Sequence, residues 1–110
     1  MTFSELVATH AEQRPNELAF VEAIRGNAMT WSEYHACATT IASVLGERYT
    51  RGDRVAIQLP DGPEVHAAML ACERAGLVGV GIGPRSSERE VAHLMTNTGA
   101  RELLRELPEV

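Results

Sequence analysis

The chain has 110 residues, 45% of them hydrophobic and 23% charged, which fits one globular domain of ordinary composition. Ten basic residues stand against fifteen acidic ones, and the net charge of −5 has the wrong sign for binding nucleic acid or an anionic membrane. No apolar run approaches the roughly 20 residues that span a bilayer, and no basic-then-apolar leader pattern opens the chain. We therefore expect a cytoplasmic protein.

The first segment of the chain predicts a helix followed by a hairpin. The helix is capped by Ser4 and runs to about Gln13. Its apolar side consists of Phe3, Leu6, Val7 and His10. Two short strands, at 18–23 and 28–30, flank turn-forming residues at 25–27, which indicates a small hairpin.

A second helix opens with a capping box at residues 30–33 (TWSE), where a threonine and a glutamate side chain each bond the other residue's backbone N–H. Apolar residues then recur at helical spacing as far as Gly46, namely Tyr34, Cys37, Ala38, Ile41, Ala42 and Leu45. Small residues dominate this helix, so we expect it to be buried against a sheet.

The most legible unit of the chain is a strand followed by a turn and a helix. The strand is predicted at 54–59 and stops at Pro60, which has no N–H to donate to a sheet. Asp61 is the expected N-cap of the helix, with Glu64 at the capping-box spacing and Gly76 as the residue that ends it. The apolar face of this helix is Val65, Ala68, Met69, Cys72 and Ala75.

The last part of the chain continues the alternation of strand and helix. A strand is predicted at 77–82, a helix from a capping box at 87–90 to Gly99, and a final strand at 101–104. The fold class is therefore α/β: an incomplete parallel-sheet (βαβ) unit with flanking helices and the small N-terminal hairpin, in a single incomplete domain over 1–110. A parallel sheet needs cover on both faces, and we expect this one to lack its later helices and strands.

Residues 79–84 (GVGIGP) form a glycine-rich segment between a strand and a helix, where a nucleotide could bind. A dinucleotide fingerprint needs G-x-G-x-x-G and a helix that starts directly beneath the pyrophosphate. Here Pro84 replaces the third glycine, and the helix starts late, near Ser87. Two leucines also follow Glu102, where the acidic residue should end its strand. We therefore favour a packing role, with another backbone lying close to these glycines.

No residue is assigned a catalytic, cofactor-binding or metal-binding role from the sequence. The four histidines fall in four different predicted helices, without the spacing that turns two imidazoles toward one metal. They are His10, His35, His66 and His93. Cys37 and Cys72 are interpreted as small buried hydrophobic residues, and no serine lies in a G-x-S-x-G elbow. Arg85, just past the glycine-rich segment, is the one charge to follow, although a solvated loop arginine is the simpler interpretation.

Five segments of the chain can be compared, in order, with the motifs of a known family: 29–34 (MTWSEY), 52–56 (GDRVA), 59–61 (LPD), 73–76 (ERAG) and 77–83 (LVGVGIG). The first resembles Leu-Thr-Tyr-x-Glu-Leu, the first core motif of the adenylate-forming (AMP-binding) superfamily of acyl-CoA synthetases, aryl-acid ligases, luciferases and adenylation domains. The second and third resemble its Gly-Asp-x-Val strand entry and its Leu-Pro-Asn. The last two resemble its second core motif, Leu-Lys-Ala-Gly-x-x-Tyr-Val-Pro-Leu-Asp. The resemblance covers nearly the whole chain and identifies it with the N-terminal segment of that superfamily.

The resemblance implies an acyl-CoA synthetase-like ligase, which activates a carboxylic or fatty acid with ATP to an acyl-adenylate and passes it to coenzyme A. Trp31 and Tyr34 depart from the first motif. Gly79, Gly81 and Gly83 depart from the second, and these glycines favour a divergent acyl-CoA-synthetase-like branch over a peptide-synthetase domain. Both motifs are structural in this family, and its phosphate-binding loop, magnesium-binding motif and catalytic lysine come later than this chain extends. The resemblance therefore implies ATP, Mg and coenzyme A for the complete enzyme, none of them bound by this segment, and no catalysis by the segment alone.

Two other classes of protein remain open at this point. One is a free-standing α/β interaction module that docks on a partner chain through an unpaired edge strand. The other is a small nucleotide-binding α/β domain that uses the turn at 79–83. In the ligase interpretation, the partner is the remainder of the same enzyme or a complementing chain.

Overall fold

The computed structural model describes residues 1–108, so the last two residues of the predicted domain, 109 and 110, lie outside the described part. The helices are α1 (Phe3–Gln13), α2 (Trp31–Arg48), α3 (Pro63–Arg74) and α4 (Glu88–Thr98). The strands are β1 (Leu18–Val21), β2 (Ala28–Thr30), β3 (Arg54–Ile57), β4 (Val78–Gly81) and β5 (Glu102–Leu104). The predicted order of elements is confirmed, while each of the four longer predicted strands is shorter in the structure.

The strands form two sheets. β1 and β2 pair antiparallel as the predicted hairpin, whereas β3, β4 and β5 form a parallel sheet in the order β4-β3-β5. Val55 of β3 is therefore flanked by Gly79 on one side and Glu102 on the other. The central strand is the first of the three in the chain, and both connections from one parallel strand to the next pass through a helix.

Helices cover both faces of the parallel sheet within residues 1–108. Val55 and Ile57 point to one face and pack with buried residues of α2 and α3, including Leu45 and Leu70. Ala56 points to the other face and packs with buried Val91 of α4. This alternation follows from the two-residue period of a strand. Within the described residues α4 lies over the face that α2 and α3 leave free, so the part of the sheet described here has helices on both faces. The expected lack of later helices and strands concerns elements beyond this part and stays a prediction.

The chain places its helix caps at residues with suitable side chains, but not always at the residue predicted. Thr30 caps α2 in a complete capping box, as predicted, and its Oγ1 accepts from the backbone of Glu33 at 3.1 Å. The cap of α1 is Thr2 rather than Ser4, because Thr2 and Glu5 form the capping box.

The predicted cap of α3 at Asp61 is also wrong: Gly62 occupies the N-cap position and no side chain caps the helix. Pro63 is the first helical residue, and a residue that precedes proline is disfavoured in helical conformation, so it must lie outside the helix. At α4 the Ser87 hydroxyl accepts from the Glu90 amide, as a cap should. The Glu90 carboxylate accepts from the Ser87 hydroxyl rather than from the Ser87 backbone N–H, so the capping box is incomplete.

Helix α1 turns less of its apolar side inward than the sequence predicts. Val7 is buried, and His10 packs on the ring of Trp31 with 4.7 Å between ring centroids. Phe3 and Leu6 remain 53% and 39% exposed. The prediction of one continuous packing side is therefore correct for Val7 and His10 and wrong for the other two residues.

Candidate functional site

The carboxyl ends of the three parallel strands meet at one edge of the sheet, where open α/β sheets usually bind ligands. The loop after β4 makes a tight turn there, because the Ser86 amide donates to the Gly83 carbonyl at 3.1 Å. Pro84 occupies the second position of this turn, which suits its fixed φ angle. Arg85 follows and is exposed to solvent. We take this edge as the candidate functional site.

A shallow groove of about 380 Å³ lies beside this turn. It is lined by Asp61, Gly83, Pro84, Arg85, Ser86 and Glu90. Two carboxylates and one guanidinium thus face the same groove, so the charges of this lining sum to −1. Phosphate sites in proteins are built from several converging N–H donors and cations. This part of the edge is therefore not a phosphate-binding cradle.

Gln58, just past β3, is the buried polar side chain of this edge, with 9% of its surface exposed. Its Nε2 donates to the Gly83 carbonyl at 3.2 Å, and its Oε1 accepts from Arg105 Nε at 3.0 Å. Arg105 also contacts Glu88 at the start of α4, with Nη2 at 2.7 Å from the carboxylate. The ends of all three strands are thereby joined through side chains.

The glycine-rich segment is explained in part by packing. A Cβ on Gly79 would lie 3.1 Å from both Sδ and Cε of Met69 on α3. The close neighbour is therefore a side chain, and the prediction that another backbone approaches is wrong at this position. A Cβ on Gly81 would meet nothing within 4 Å. Helix α4 begins only at Glu88, so its N-terminus does not follow directly on the glycines as in a dinucleotide fingerprint.

A second concave surface is apolar and lies beside β4. This apolar groove has a volume of about 540 Å³. Its rim includes Phe3, Met69 and Val78, which are 53%, 38% and 46% exposed, and the His66 ring stacks on Phe20 at its wall with 4.5 Å between centroids. Within residues 1–108, β4 pairs only with β3, so the backbone on its other side is unpaired beside the groove. An apolar groove at an unpaired strand edge is typical of an interaction surface.

Arg74, at the end of α3, joins the three helices that pack on one another. Its Nε donates to Ser4 Oγ of α1 at 2.8 Å, and its Nη1 donates to the His35 carbonyl and to Thr39 Oγ1 of α2. Its Nη2 lies 3.0 Å from His35 Nδ1, which must be the unprotonated nitrogen because a guanidinium only donates. Burial, together with the positive charge of Arg74, lowers the pKa of His35.

The remaining titratable residues lie apart from the candidate site. The four histidines lie on four different helices, and residues 1–108 hold no group of three His, Cys, Asp or Glu side chains close enough to share a metal ion. Burial raises the pKa of Cys72 to about 11, and burial together with the charge of Glu64 raises the pKa of Cys37. Both thiols are therefore protonated at neutral pH, which agrees with a packing role.

Three polar residues that organise these sites were not singled out from the sequence: Gln58, Arg74 and Arg105. Their partners are distant in the chain, with Arg74 bonding Ser4 and Arg105 bonding Gln58. A glutamine next to a buried strand was the one available signal, because a buried amide must find partners. The choice of partner depends on the strand order, which a single sequence does not give.

The fold defines a class of protein. The N-terminal subdomain of NpsA from Klebsiella oxytoca, solved in complex with 3-hydroxybenzoyl-AMSN, superposes with a TM-score of 0.80 at 27% identity. That match covers 98% of this chain and 27% of the solved one. The N-terminal domain of FACL13 from Mycobacterium tuberculosis superposes with a TM-score of 0.82 at 26% identity, covering 94% of this chain and 26% of that domain. The fold is thus that of N-terminal subdomains of adenylate-forming enzymes.

Sequence comparison leads to the same group of proteins. A long-chain-fatty-acid–AMP ligase, FadD26, of Mycobacterium marinum is 38% identical over 68% of this chain and 14% of its own length. A long-chain-fatty-acid–CoA ligase of Escherichia coli is 30% identical over 93% and 18%, and a 4-chlorobenzoate–CoA ligase of Arthrobacter is 29% identical over 98% and 21%.

Residues 7–109 match the AMP-binding enzyme family, and the chain belongs to that family as an N-terminal part of an adenylate-forming enzyme. It spans about a fifth or less of the length of these curated relatives. In the described residues 1–108, no helix is both long and apolar enough to cross a membrane.

Proposed function

We propose that this chain is the N-terminal segment of an acyl-CoA synthetase-like ligase. In the complete enzyme, a carboxylate attacks the α-phosphate of ATP with release of pyrophosphate, and the thiol of coenzyme A then displaces AMP from the acyl-adenylate. The observation that carries this proposal is the match over residues 7–109 together with curated relatives whose names are acid–AMP and acid–CoA ligases. ATP, Mg and coenzyme A are the cofactors we propose for that enzyme, in the cytoplasm.

The same proposal makes the isolated segment inactive. In-line phosphoryl chemistry needs several positioned cations and donors around the phosphates. In the groove at the carboxyl edge, Arg85 is accompanied by two carboxylates, Asp61 and Glu90. The segment therefore supplies part of the scaffold, and the remainder of the enzyme supplies the phosphate-binding groups.

Immunocapture of the native gene product tests the proposal. An antibody against this segment isolates the protein from its source, and intact mass and acid-dependent pyrophosphate release are then measured with ATP, Mg²⁺ and a fatty acid. We expect a species several times heavier than the 12.0 kDa of this chain, active only when the acid is present. The purified 110-residue chain is the matched control and should release no pyrophosphate. A heavy species without activity, or turnover by the 110-residue chain, would contradict the proposal.

A second candidate function is a docking module for a complementing chain, and the apolar groove beside the unpaired edge of β4 favours it. In that case the native species has a mass of 12.0 kDa and is isolated in a stoichiometric complex. The variants Met69→Lys and Val78→Lys should then disrupt the complex, because both residues lie on the rim of the groove. The control is Ile24→Lys, because Ile24 is 91% exposed and lies outside the groove. A complex unaffected by the groove variants would remove this candidate.

A further inference from the structure

The amide of Gln58 is placed between two groups of opposite hydrogen-bonding character. Its Nε2 faces the carbonyl of Gly83 at 3.2 Å, and its Oε1 faces the guanidinium of Arg105 at 3.0 Å. A carbonyl only accepts and a guanidinium only donates, so the reversed orientation of the amide would lose both bonds. The Gln58 side chain is buried, with 9% of its surface exposed, so leaving either end of its amide without a partner costs free energy.

The Gly83 carbonyl is also the acceptor that closes the turn carrying Arg85. It receives the Ser86 amide at 3.1 Å and the Gln58 side chain at the same time. A carbonyl oxygen has two lone pairs, so both bonds form together. Gln58 therefore holds the turn from the sheet side, at the oxygen on which its closure depends.

Arg105 brings the last strand into the same network. It follows β5, and its Nε donates to Gln58 while its Nη2 donates to Glu88 of α4. The pair with Glu88 is exposed, with 48% of the arginine and 82% of the glutamate side chain accessible, so the ion pair contributes little by itself. The bond from Arg105 to the buried Gln58 is different, because replacing it by a bond to water costs free energy.

We propose that Gln58 and Arg105 form a strap that makes the geometry of the turn at 83–86, and with it the position of Arg85, depend on the end of β5. Any displacement of the chain after β5 moves Arg105, and through Gln58 it reaches the Gly83 carbonyl. The strap thus transmits the position of the third strand to a loop that follows the second. This inference depends on the contacts at the carboxyl edge and is independent of the proposed ligase function.

Backbone amide exchange, measured by NMR on the 110-residue chain, tests the strap. Gln58→Leu removes both side-chain bonds, and Arg105→Met removes the bond to Gln58 from the far end. For Gln58→Leu we expect the Ser86 amide to exchange roughly five- to tenfold faster, as the loss of the bond to the Gly83 carbonyl implies. Arg105→Met leaves that bond in place and should accelerate Ser86 in the same direction but by less. The Gly99 amide, at the far end of α4, should exchange as in the wild type.

Two further variants separate the strap from its alternatives. Glu88→Gln removes only the exposed ion pair and should leave Ser86 unchanged, whereas an effect equal to that of Arg105→Met would overturn the role of Gln58. Arg89→Met is the matched control, because Arg89 is exposed and makes no side-chain hydrogen bond within residues 1–108. Should Gln58→Leu unfold the chain, Arg105→Met decides alone, since the arginine is exposed. Equal acceleration of Ser86 and Gly99 would also contradict the strap.

Discussion

At the scale of single residues, Arg74 shows how one side chain can organise several helices. It lies where α1, α2 and α3 meet and donates to oxygen atoms of Ser4, His35 and Thr39. The segment 73–76 was recognised from the sequence by its resemblance to a structural core motif, but the partners were not. The structure gives the motif a physical role, because its basic residue binds the two preceding helices to α3.

Replacement of Arg74 by methionine keeps most of the apolar stem and removes every one of these donors. We expect the free energy of unfolding to fall by about 2–3 kcal/mol, since the half-buried acceptors on α1 and α2 lose a charged partner. Urea denaturation measures the change. Arg89→Met, at an exposed position of α4, is the control and should stay within about 0.5 kcal/mol of the wild type. Equal stability of the two variants would show that Arg74 has no organising role.

His35 makes this contact sensitive to pH. Its pKa is lowered by burial and by the charge of Arg74, so the unfolded chain takes up the proton before the folded one as the pH falls. The stability contributed by neutral His35 is therefore complete above the unfolded-state pKa of about 6.5 and is lost as the pH falls through the lowered folded-state value.

Replacement of His35 by glutamine tests this assignment. A glutamine Oε1 can still accept from Arg74 but does not titrate, so the variant should lose less stability than the wild type between about pH 7 and about pH 5. Urea unfolding at a series of pH values gives the difference between the two proteins. Parallel stability curves would mean that His35 does not contribute to the pH dependence.

At the scale of helices and strands, local rules predicted most element ends. Thr30 was predicted as a cap because its hydroxyl and the Glu33 carboxylate are at capping-box spacing, and both bonds form. Gly99 was predicted to end α4 and adopts the left-handed conformation with φ 67°. Thr2 and Glu5 show the same capping-box spacing, so the start of α1 was present in the sequence and was missed.

Thr30, which caps α2, and Asp61, which does not cap α3, give different predictions for alanine. Thr30→Ala should destabilise the protein by about 1 kcal/mol, since the Glu33 amide in the first turn of α2 loses its acceptor. Asp61→Ala should change stability by less than about 0.5 kcal/mol, because Asp61 is exposed and lies before the N-cap of α3. Thermal unfolding of both variants under the same conditions tests the pair. A larger loss of stability in Asp61→Ala than in Thr30→Ala would show that Asp61 caps α3 after all.

The glycines of β4 also differ from each other in an observable way. Gly79→Ala would place its Cβ 3.1 Å from the Sδ and Cε atoms of Met69, which is 38% exposed and can shift, so we expect a loss of up to about 1 kcal/mol. In Gly81→Ala the added Cβ meets no atom within 4 Å, so the free energy of unfolding should hardly change. In a double-mutant cycle, Met69→Ala should remove most of the cost at Gly79, because the space is then free. Equal costs at both glycines would contradict the packing explanation.

At the scale of the whole molecule, the sequence predicts the elements better than their arrangement. The three parallel strands were predicted from short apolar runs that alternate with helices, and that prediction is confirmed. Their order was not predicted, because β5 can lie beside either earlier strand without changing the pattern along the chain. The carboxyl edge depends on that order, since Gln58 meets Arg105 only when β5 lies beside β3.

The central position of β3 also matters for synthesis. This strand leaves the ribosome before both of its neighbours. Val55 can pair on one side once Gly79 has been synthesised, and on the other side only after Glu102 has followed. Until then, a short buried strand with free backbone groups on both sides is open to association with other nascent chains. Among these three strands, β5 is therefore the one that completes the pairing of β3, and a chain terminated before β5 would be prone to aggregate.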